Sequence, residues 1–169
     1  MGLSIHEQVV APLSRMLVNL DAVIGKAEHY AAKNNIEPAT LIQARLFPNM
    51  LPMVFQIRIA TDTAKGAAAR LSGSPVPKWP DDEETFADVH ARIRKAIDFL
   101  ATFKPGQFDG AEKRNIELKL GQREVRFTGT EYITGFVIPN FYFHVTTAYA
   151  ILRHNGVDVG KKDYLGDTT

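Results

Sequence analysis

The chain has 169 residues, of which 45% are hydrophobic and 23% are charged, and its formal net charge is +1. These values are typical of a globular protein with enough chain to bury a substantial core, and they exclude wholesale disorder. A nearly neutral chain has no electrostatic reason to bind nucleic acid or an anionic membrane. The chain has no cysteine, which excludes disulfides, thiolate metal sites and a cysteine nucleophile, and fits a reducing compartment.

The N-terminus, residues 1–7, lacks the basic segment and the apolar run of a signal peptide. No apolar run approaches the roughly 20 residues needed to span a bilayer. We therefore expect a cytoplasmic protein that is not inserted in a membrane.

The first predicted element is a long amphipathic helix. Ser4 and Glu7 have the spacing of a capping box. Apolar residues then recur at steps of three and four up to Ala31, and Asn34 is a plausible stop. Pro12 falls inside this stripe, where it either bends the helix or marks its true start.

Two further helices are predicted before residue 74. A short one covers residues 38–46, because Pro38 suits a first turn and Pro48 ends the pattern. Asn49 is a suitable N-cap for the next helix, which runs to Leu71 with Gly73 just past its end.

Residues 74–80 contain three prolines and the only tryptophan, and they predict a loop. Acidic residues 81–84 then precede a helix over residues 86–103. Arg92, Arg94 and Lys95 are predicted to lie mostly on its outer, solvated face.

The pattern changes to alternation in residues 116–120 and 124–127, and Gly121-Gln122 between them predicts a two-residue hairpin turn. A helical piece over residues 130–137 and a final helix from Pro139 to about residue 154 follow. Together, these elements predict one all-α domain over residues 1–169: an up-down four-helix bundle with a small β-hairpin inserted before the last helix.

The last helix carries the residues with the most chemical potential. Asn140 and His144 are four residues apart and share a face, with Tyr142 between them. His144 lies at the border of the core stripe. It is either a half-buried histidine satisfied by Asn140 or Tyr142, or a ligand or general base in a bundle cavity. The polar groups nearest this surface on the second long helix are Gln56 and Asp62.

Four segments resemble a family of bacterial and fungal proteins known only as a domain of unknown function, which is similar to the DinB/YfiT-like superfamily. The resemblance extends over nearly the whole chain, and its most specific residues lie in these segments. They are residues 49–56, residues 80–86, the run PNFYFHVTTAY with LRHNG after it, and GKKDY at residues 160–164.

The resemblance implies a four-helix bundle, often dimeric. Many superfamily members hold a divalent metal with three histidines, and some are thiol-dependent transferases. Their last helix carries H-x-x-x-H before a Leu-Arg pair, which places the second histidine at His144 and the first at Asn140. The third ligand falls near Gln56. The chain thus keeps one ligand of three, and no metal is expected, although Zn or Ni remains an alternative.

Three hypotheses follow. The first is a homodimeric bundle, without a complete metal site, that binds a small molecule or a partner in a polar cavity of Gln56, Asn140, Tyr142 and His144. The second is a divalent-metal-dependent hydrolase or thiol-dependent transferase of DinB type that uses His144. The third is a purely structural dimeric protein. The ligand and the reaction are not predicted.

Overall fold

The structure, a computed structural model, describes residues 4–167, apart from the side chain of Leu120. The first three residues, which belong to the stretch expected to lack a signal peptide, lie outside the described residues. The described chain is mostly helical with one two-stranded sheet. The α-helices are α1 (Ala11–Lys33), α2 (Pro38–Ile42), α3 (Met53–Ser72), α4 (Phe86–Ala101), α5 (Gly129–Tyr132), α6 (Ile138–His154) and α7 (Lys161–Leu165). Two π-helical turns (His6–Val10 and Ile133–Val137) and two 3₁₀ turns (Pro105–Phe108 and Ala111–Lys113) complete them.

The capping box at the start of the chain is confirmed. The Glu7 carboxylate accepts hydrogen bonds from the backbone N–H and the hydroxyl of Ser4, and the Glu7 N–H donates to Ser4 Oγ. The chain then passes through the first π turn into α1 without leaving helical geometry. Pro12 occupies the first turn of α1, where a missing N–H costs little. It therefore marks the change of helix type.

The predicted end of the second helix and the predicted start of the third were wrong. α2 ends at Ile42 instead of residue 46, because the backbone beyond it bonds elsewhere: the Met53 N–H donates to the Ala44 carbonyl. α3 starts at Met53 with Pro52 as its N-cap, so Asn49 is not the cap. The end of α3 is confirmed, since Gly73 has the left-handed φ of 76° that favours glycine.

α4 begins at Phe86 as predicted and ends at Ala101, two residues early. Its N-terminus is held by a capping box of Thr85 and Asp88. The sequence analysis considered only the acidic residues that precede the helix and missed this capping box. The outer-face prediction was wrong for Arg92, which is only 4% exposed.

The hairpin is confirmed. β1 (Ile116–Leu120) pairs antiparallel with β2 (Arg123–Phe127), and Gly121 turns the chain with a φ of 63°. After it, α5, the second π turn and α6 form one continuous helical segment instead of two separate pieces. The sequence analysis missed α7.

The core lies between the long helices. The most extensive helix contacts join α3 to α6, α1 to α4, and α3 to α4. α3 is buried on nearly all sides, and its small residues Ala60, Ala64, Ala67 and Ala68 are fully buried where neighbouring helices approach. Within residues 4–167, no helix combines the length and the apolar character that crossing a membrane requires.

Candidate functional site

His144 on α6 and Gln56 on α3 are in direct contact. The Nδ1 atom of His144 lies 2.7 Å from Gln56 Oε1, and Gln56 Nε2 donates to the Leu51 carbonyl over 2.8 Å. Gln56 is only 2% exposed, and both ends of its amide are used. The two side chains that the sequence placed on facing helices are therefore brought together.

This contact fixes the protonation pattern of the imidazole ring. Because Gln56 Nε2 donates to Leu51, its Oε1 faces His144 and can only accept, so Nδ1 carries the proton. Burial lowers the pKa of His144, which favours the neutral ring. The lone pair is then on Nε2, for which residues 4–167 supply no hydrogen-bond partner.

Asn140 does not bond to His144. Its Nδ2 atom donates to Thr63 Oγ1 over 2.8 Å, and the Thr63 hydroxyl donates to the Ile59 carbonyl over 2.7 Å. These polar groups satisfy one another between α3 and α6. The five surface grooves described, of about 180 to 530 Å³, are lined by residues other than Gln56, Asn140 and His144.

Tyr142 is not part of this group. It lies two residues from His144, about 200° around the helix axis, and faces α1. It lines a separate groove with Arg15 and Met16. Of the four residues predicted to share one pocket, the structure therefore brings three to the α3–α6 contact and places the fourth elsewhere.

Three side-chain pairs cross the contact between α3 and the segment from α5 to α6. We call them the polar ladder: Gln56–His144, Thr63–Asn140 and Arg70–Tyr132. The chain numbers rise on one side as they fall on the other, so the two segments run antiparallel. The α3 members recur every seven residues, about two helical turns. That spacing was a signal for Thr63 and Arg70, which the sequence analysis missed.

The donors present do not fit a three-histidine metal site. Gln56 Oε1 already accepts the His144 N–H, and Asn140 faces Thr63. Amide oxygens suit hard cations and are poor ligands for the transition metals that imidazole favours. Within residues 4–167, no three His, Cys, Asp or Glu side chains are grouped so that they could hold a metal ion.

A second concentration of polar groups lies between α3, α4 and the loop that joins them. We call it the ionic cluster: Arg58, Asp62, Lys65, Asp81, Glu83 and Arg92. Arg58 and Arg92 both donate to the buried Glu83 carboxylate. Arg92 Nη2 is buried without a well-aligned hydrogen bond but lies 3.1 Å from Asp62 Oδ1. The charges compensate one another, so the cluster fastens the loop to the helices.

Only part of this cluster could have been predicted from the sequence. Arg92 lies three residues after Val89 and four before Ala96, which places it in the apolar stripe of α4. Glu83 lies in a loop without a period, and nothing in its neighbourhood distinguishes it from the exposed acids beside it.

Comparison with known proteins supports the sequence resemblance. The model of a family described as "Domain of unknown function (DUF1993)" matches residues 5–165. Among solved structures, the chain is similar to a DinB family member protein from Shewanella denitrificans. That match has 40% identity and a TM-score of 0.86, and it covers 95% of this chain and 90% of that one. The comparison with curated proteins gives no match.

Proposed function

The chain belongs to the DUF1993 family, and from that premise we propose that it is a DinB-like protein that binds a small ligand through the Nε2 lone pair of His144. The observation that supports this is the bond from Nδ1–H to Gln56, which leaves Nε2 as a hydrogen-bond acceptor. A ligand for this atom must donate a hydrogen bond.

The surroundings of His144 suggest that the ligand also has an apolar body. The Phe143 ring, which is 56% exposed, meets the His144 ring edge-on with 5.1 Å between centroids. Leu51 and Phe55, on either side of the start of α3, are also exposed. Aromatic and aliphatic groups beside one directional polar atom are typical of small-molecule sites.

Phenol and anisole are matched probes for this proposal, because only phenol can donate a hydrogen bond. We expect phenol to shift the ring signals of His144 in an NMR titration and to bind more tightly than anisole. His144→Asn keeps an N–H that can donate to Gln56 but lacks Nε2. It should weaken phenol binding by about 3- to 10-fold and leave anisole unchanged. His154→Asn, at an exposed histidine of the same helix, is the control. Equal effects of His144→Asn on both probes would contradict the proposal.

We further propose that no transition metal is bound, since two of the three ligand positions carry amides, and the Gln56 oxygen already accepts the His144 N–H. Metal analysis of protein purified without an affinity tag should find no stoichiometric metal. Stoichiometric Zn or Ni that disappears in His144→Ala would overturn this and favour the second candidate, an enzyme of DinB type. One observation favours that candidate: a histidine whose Nδ1–H is held by a carbonyl oxygen presents Nε2 as a general base or as a ligand.

We also infer a single-domain up-down four-helix bundle that forms a homodimer. The antiparallel polar ladder supports the first part. The homodimer is supported by exposed apolar side chains on the segment before α3, at the start of α3 and on α6. We call this set of side chains the apolar face: Leu46, Phe47, Leu51, Phe55, Ile138 and Phe143. A purely structural dimer would use this face and show no specific probe binding at His144.

A further inference from the structure

Tyr142, which the His144 site does not use, lines a groove on the opposite side of α6. The groove has a volume of about 500 Å³, which suits a small organic molecule. Residues from the first π turn, α1, α6 and α7 form its walls: Glu7, Ala11, Pro12, Arg15, Met16, Asn19, Tyr142 and Leu165.

The C-terminal segment is held in place as one wall of this groove. Arg15 Nη2 donates to the Asp167 carbonyl over 2.7 Å, and Asn19 Nδ2 donates to the Tyr164 carbonyl over 3.1 Å. An ion pair of 2.5 Å joins Lys26 on α1 to Asp163 on α7. The wall that carries Leu165 is therefore attached to α1 at several points.

Two side chains of the groove lining can donate hydrogen bonds to a ligand. The Tyr142 hydroxyl has no hydrogen-bond partner within residues 4–167. Burial and then the neighbouring Tyr164 raise the pKa of Tyr142 against a smaller lowering by Arg15, so the hydroxyl stays protonated. Arg15 contributes a permanent positive charge beside it. Its hydrogen bonds to the described residues use only Nη2, so other N–H groups of its planar fork stay available.

The rest of the lining is apolar apart from Asn19 and one acid. Pro12, Met16 and Leu165 lie beside the donors, since Met16 follows Arg15 in α1 and Arg15 Nη2 donates to the Leu165 carbonyl. Glu7 lies eight residues before Arg15, about 12 Å along the helix axis at 1.5 Å per residue. Its carboxylate accepts hydrogen bonds from Ser4, which hold its pKa low, so it is negatively charged. The groove therefore combines a positive charge and hydrogen-bond donors with adjacent apolar side chains, and it has an anionic group about two helical turns from Arg15.

We propose that this groove binds a small organic carboxylate with an apolar body. The carboxylate accepts hydrogen bonds from the Arg15 guanidinium and the Tyr142 hydroxyl, and the apolar body lies along Pro12, Met16 and Leu165. Glu7 also sets selectivity, since it would repel a second negative charge on a ligand long enough to reach from Arg15 to Glu7.

Octanoate, octylamine and octanol test the proposal, because they share one chain length and differ in head group. Binding is measured by calorimetry, with backbone NMR shifts to locate each ligand. We expect octanoate to bind at the groove and the other two to bind at least tenfold more weakly. Suberate, which carries a carboxylate at each end, should also bind more weakly than octanoate.

Tyr142→Phe removes only the hydroxyl and should weaken octanoate binding by about 10- to 100-fold, as expected for a hydrogen bond to a charged group. Tyr30→Phe, at a tyrosine outside this groove, is the control. Arg15→Lys keeps the charge but loses the planar fork, and should also weaken binding. Octylamine binding as tight as octanoate, or unchanged octanoate affinity in Tyr142→Phe, would overturn the proposal. His144→Asn should leave octanoate binding unchanged, so this proposal and the one for His144 fail separately.

Discussion

Glu83 is a carboxylate that the fold buries between two guanidinium groups. Its Oε2 accepts from Arg58 Nε over 2.6 Å, and its Oε1 accepts from Arg92 Nη1 over 2.7 Å. All three residues are at most 9% exposed. Such a group stabilises the fold only while its partners remain, because an uncompensated buried charge costs several kcal/mol.

Glu83→Gln is therefore expected to lower the free energy of unfolding by about 3–5 kcal/mol, since it leaves two buried guanidinium groups without their shared counter-charge. Urea unfolding followed by circular dichroism measures the change. Glu84→Gln, at the exposed neighbour, is the matched control and should change stability by less than about 0.5 kcal/mol. A loss below about 1 kcal/mol for Glu83→Gln would mean that the acids at positions 62 and 81 compensate both arginines.

The hydrogen bonds from Arg58 and Arg92 to Glu83 also make the stability of the fold depend on pH. Burial alone raises the pKa of Glu83, but the hydrogen bonds from Arg92 and Arg58 outweigh it and leave the pKa below the usual glutamate value of about 4.5. The pKa of Glu83 is lower in the folded than in the unfolded protein. Its ionised carboxylate therefore contributes fully to the free energy of unfolding above the unfolded pKa, and this contribution is lost as the pH falls through the folded pKa. The stability difference between the parent protein and Glu83→Gln should therefore shrink as pH falls below 4.5.

At the level of single residues, the sequence predicts positions better than partners. The i, i+4 rule correctly gave Asn140 and His144 one face, but it could not show that each would bond to a different residue of α3. Tyr142 was grouped with them because it is adjacent in the chain, although two residues along a helix point to nearly opposite sides. Partners on other helices depend on register, which no local pattern encodes.

The π turn at Ile133–Val137 is the element that aligns the polar ladder. The Ile138 N–H bonds to the Ile133 carbonyl, five residues earlier, so the turn holds about one residue more than an α turn. Tyr132 and Asn140 are eight residues apart and both face α3. With the extra residue discounted, the spacing is seven, which is about two α turns.

The same turn accommodates Pro139, which lacks an N–H and would clash with a carbonyl in the interior of a regular α-helix. Deletion of Gly135 should close the turn into plain α-helix and keep the ladder aligned. It would leave Pro139 inside that helix, so we expect a loss of about 3 kcal/mol in the free energy of unfolding.

Pro139→Ala should recover most of that loss in the deleted protein and change the parent by less than about 1 kcal/mol. Deletion of Thr146, an exposed residue later in α6, is the control. This deletion should lower the free energy of unfolding more than the deletion of Gly135 does, because it rotates every later residue of α6 by about 100° relative to the core. If Pro139→Ala does not rescue the deletion, the π turn has a role other than making room for proline.

At the element scale, periodic patterns predicted α1, α3, α4, α6 and the hairpin, because each buries one face and so repeats its apolar residues. Boundaries failed where tertiary contacts decide them. Asn49 has good capping chemistry, but the backbone from 44 to 53 is bonded into a compact turn instead. α7 has five residues and no buried one, so it leaves no apolar period. It is held by Arg15, Asn19 and Lys26.

On the scale of the whole molecule, charge is distributed unevenly. Residues 46–57 and 132–152 contain no Asp, Glu, Lys or Arg, and these two stretches supply every member of the apolar face. Its six side chains are 37–62% exposed, and large apolar groups left to solvent are typical of protein contact surfaces. None of the six is charged, while Arg58 stacks on the Phe55 ring and Arg45 donates to the Met50 carbonyl. An interface centre without charge favours a second copy as partner, because across a two-fold axis each charge near the axis meets its own sign.

A stable dimer buries about 800 Å² on each partner, so the apolar face would form the centre of a larger interface. Phe143→Asp should convert the dimer to a monomer in light scattering after size-exclusion chromatography, because two carboxylates would be buried near one another. Val18→Asp, at an exposed apolar residue of α1, is the control and should leave the dimer intact. Phe143→Lys alone should also be monomeric. A mixture of the Asp and Lys variants should restore a dimer through opposite charges. A parent protein that is monomeric at all concentrations would contradict the dimer.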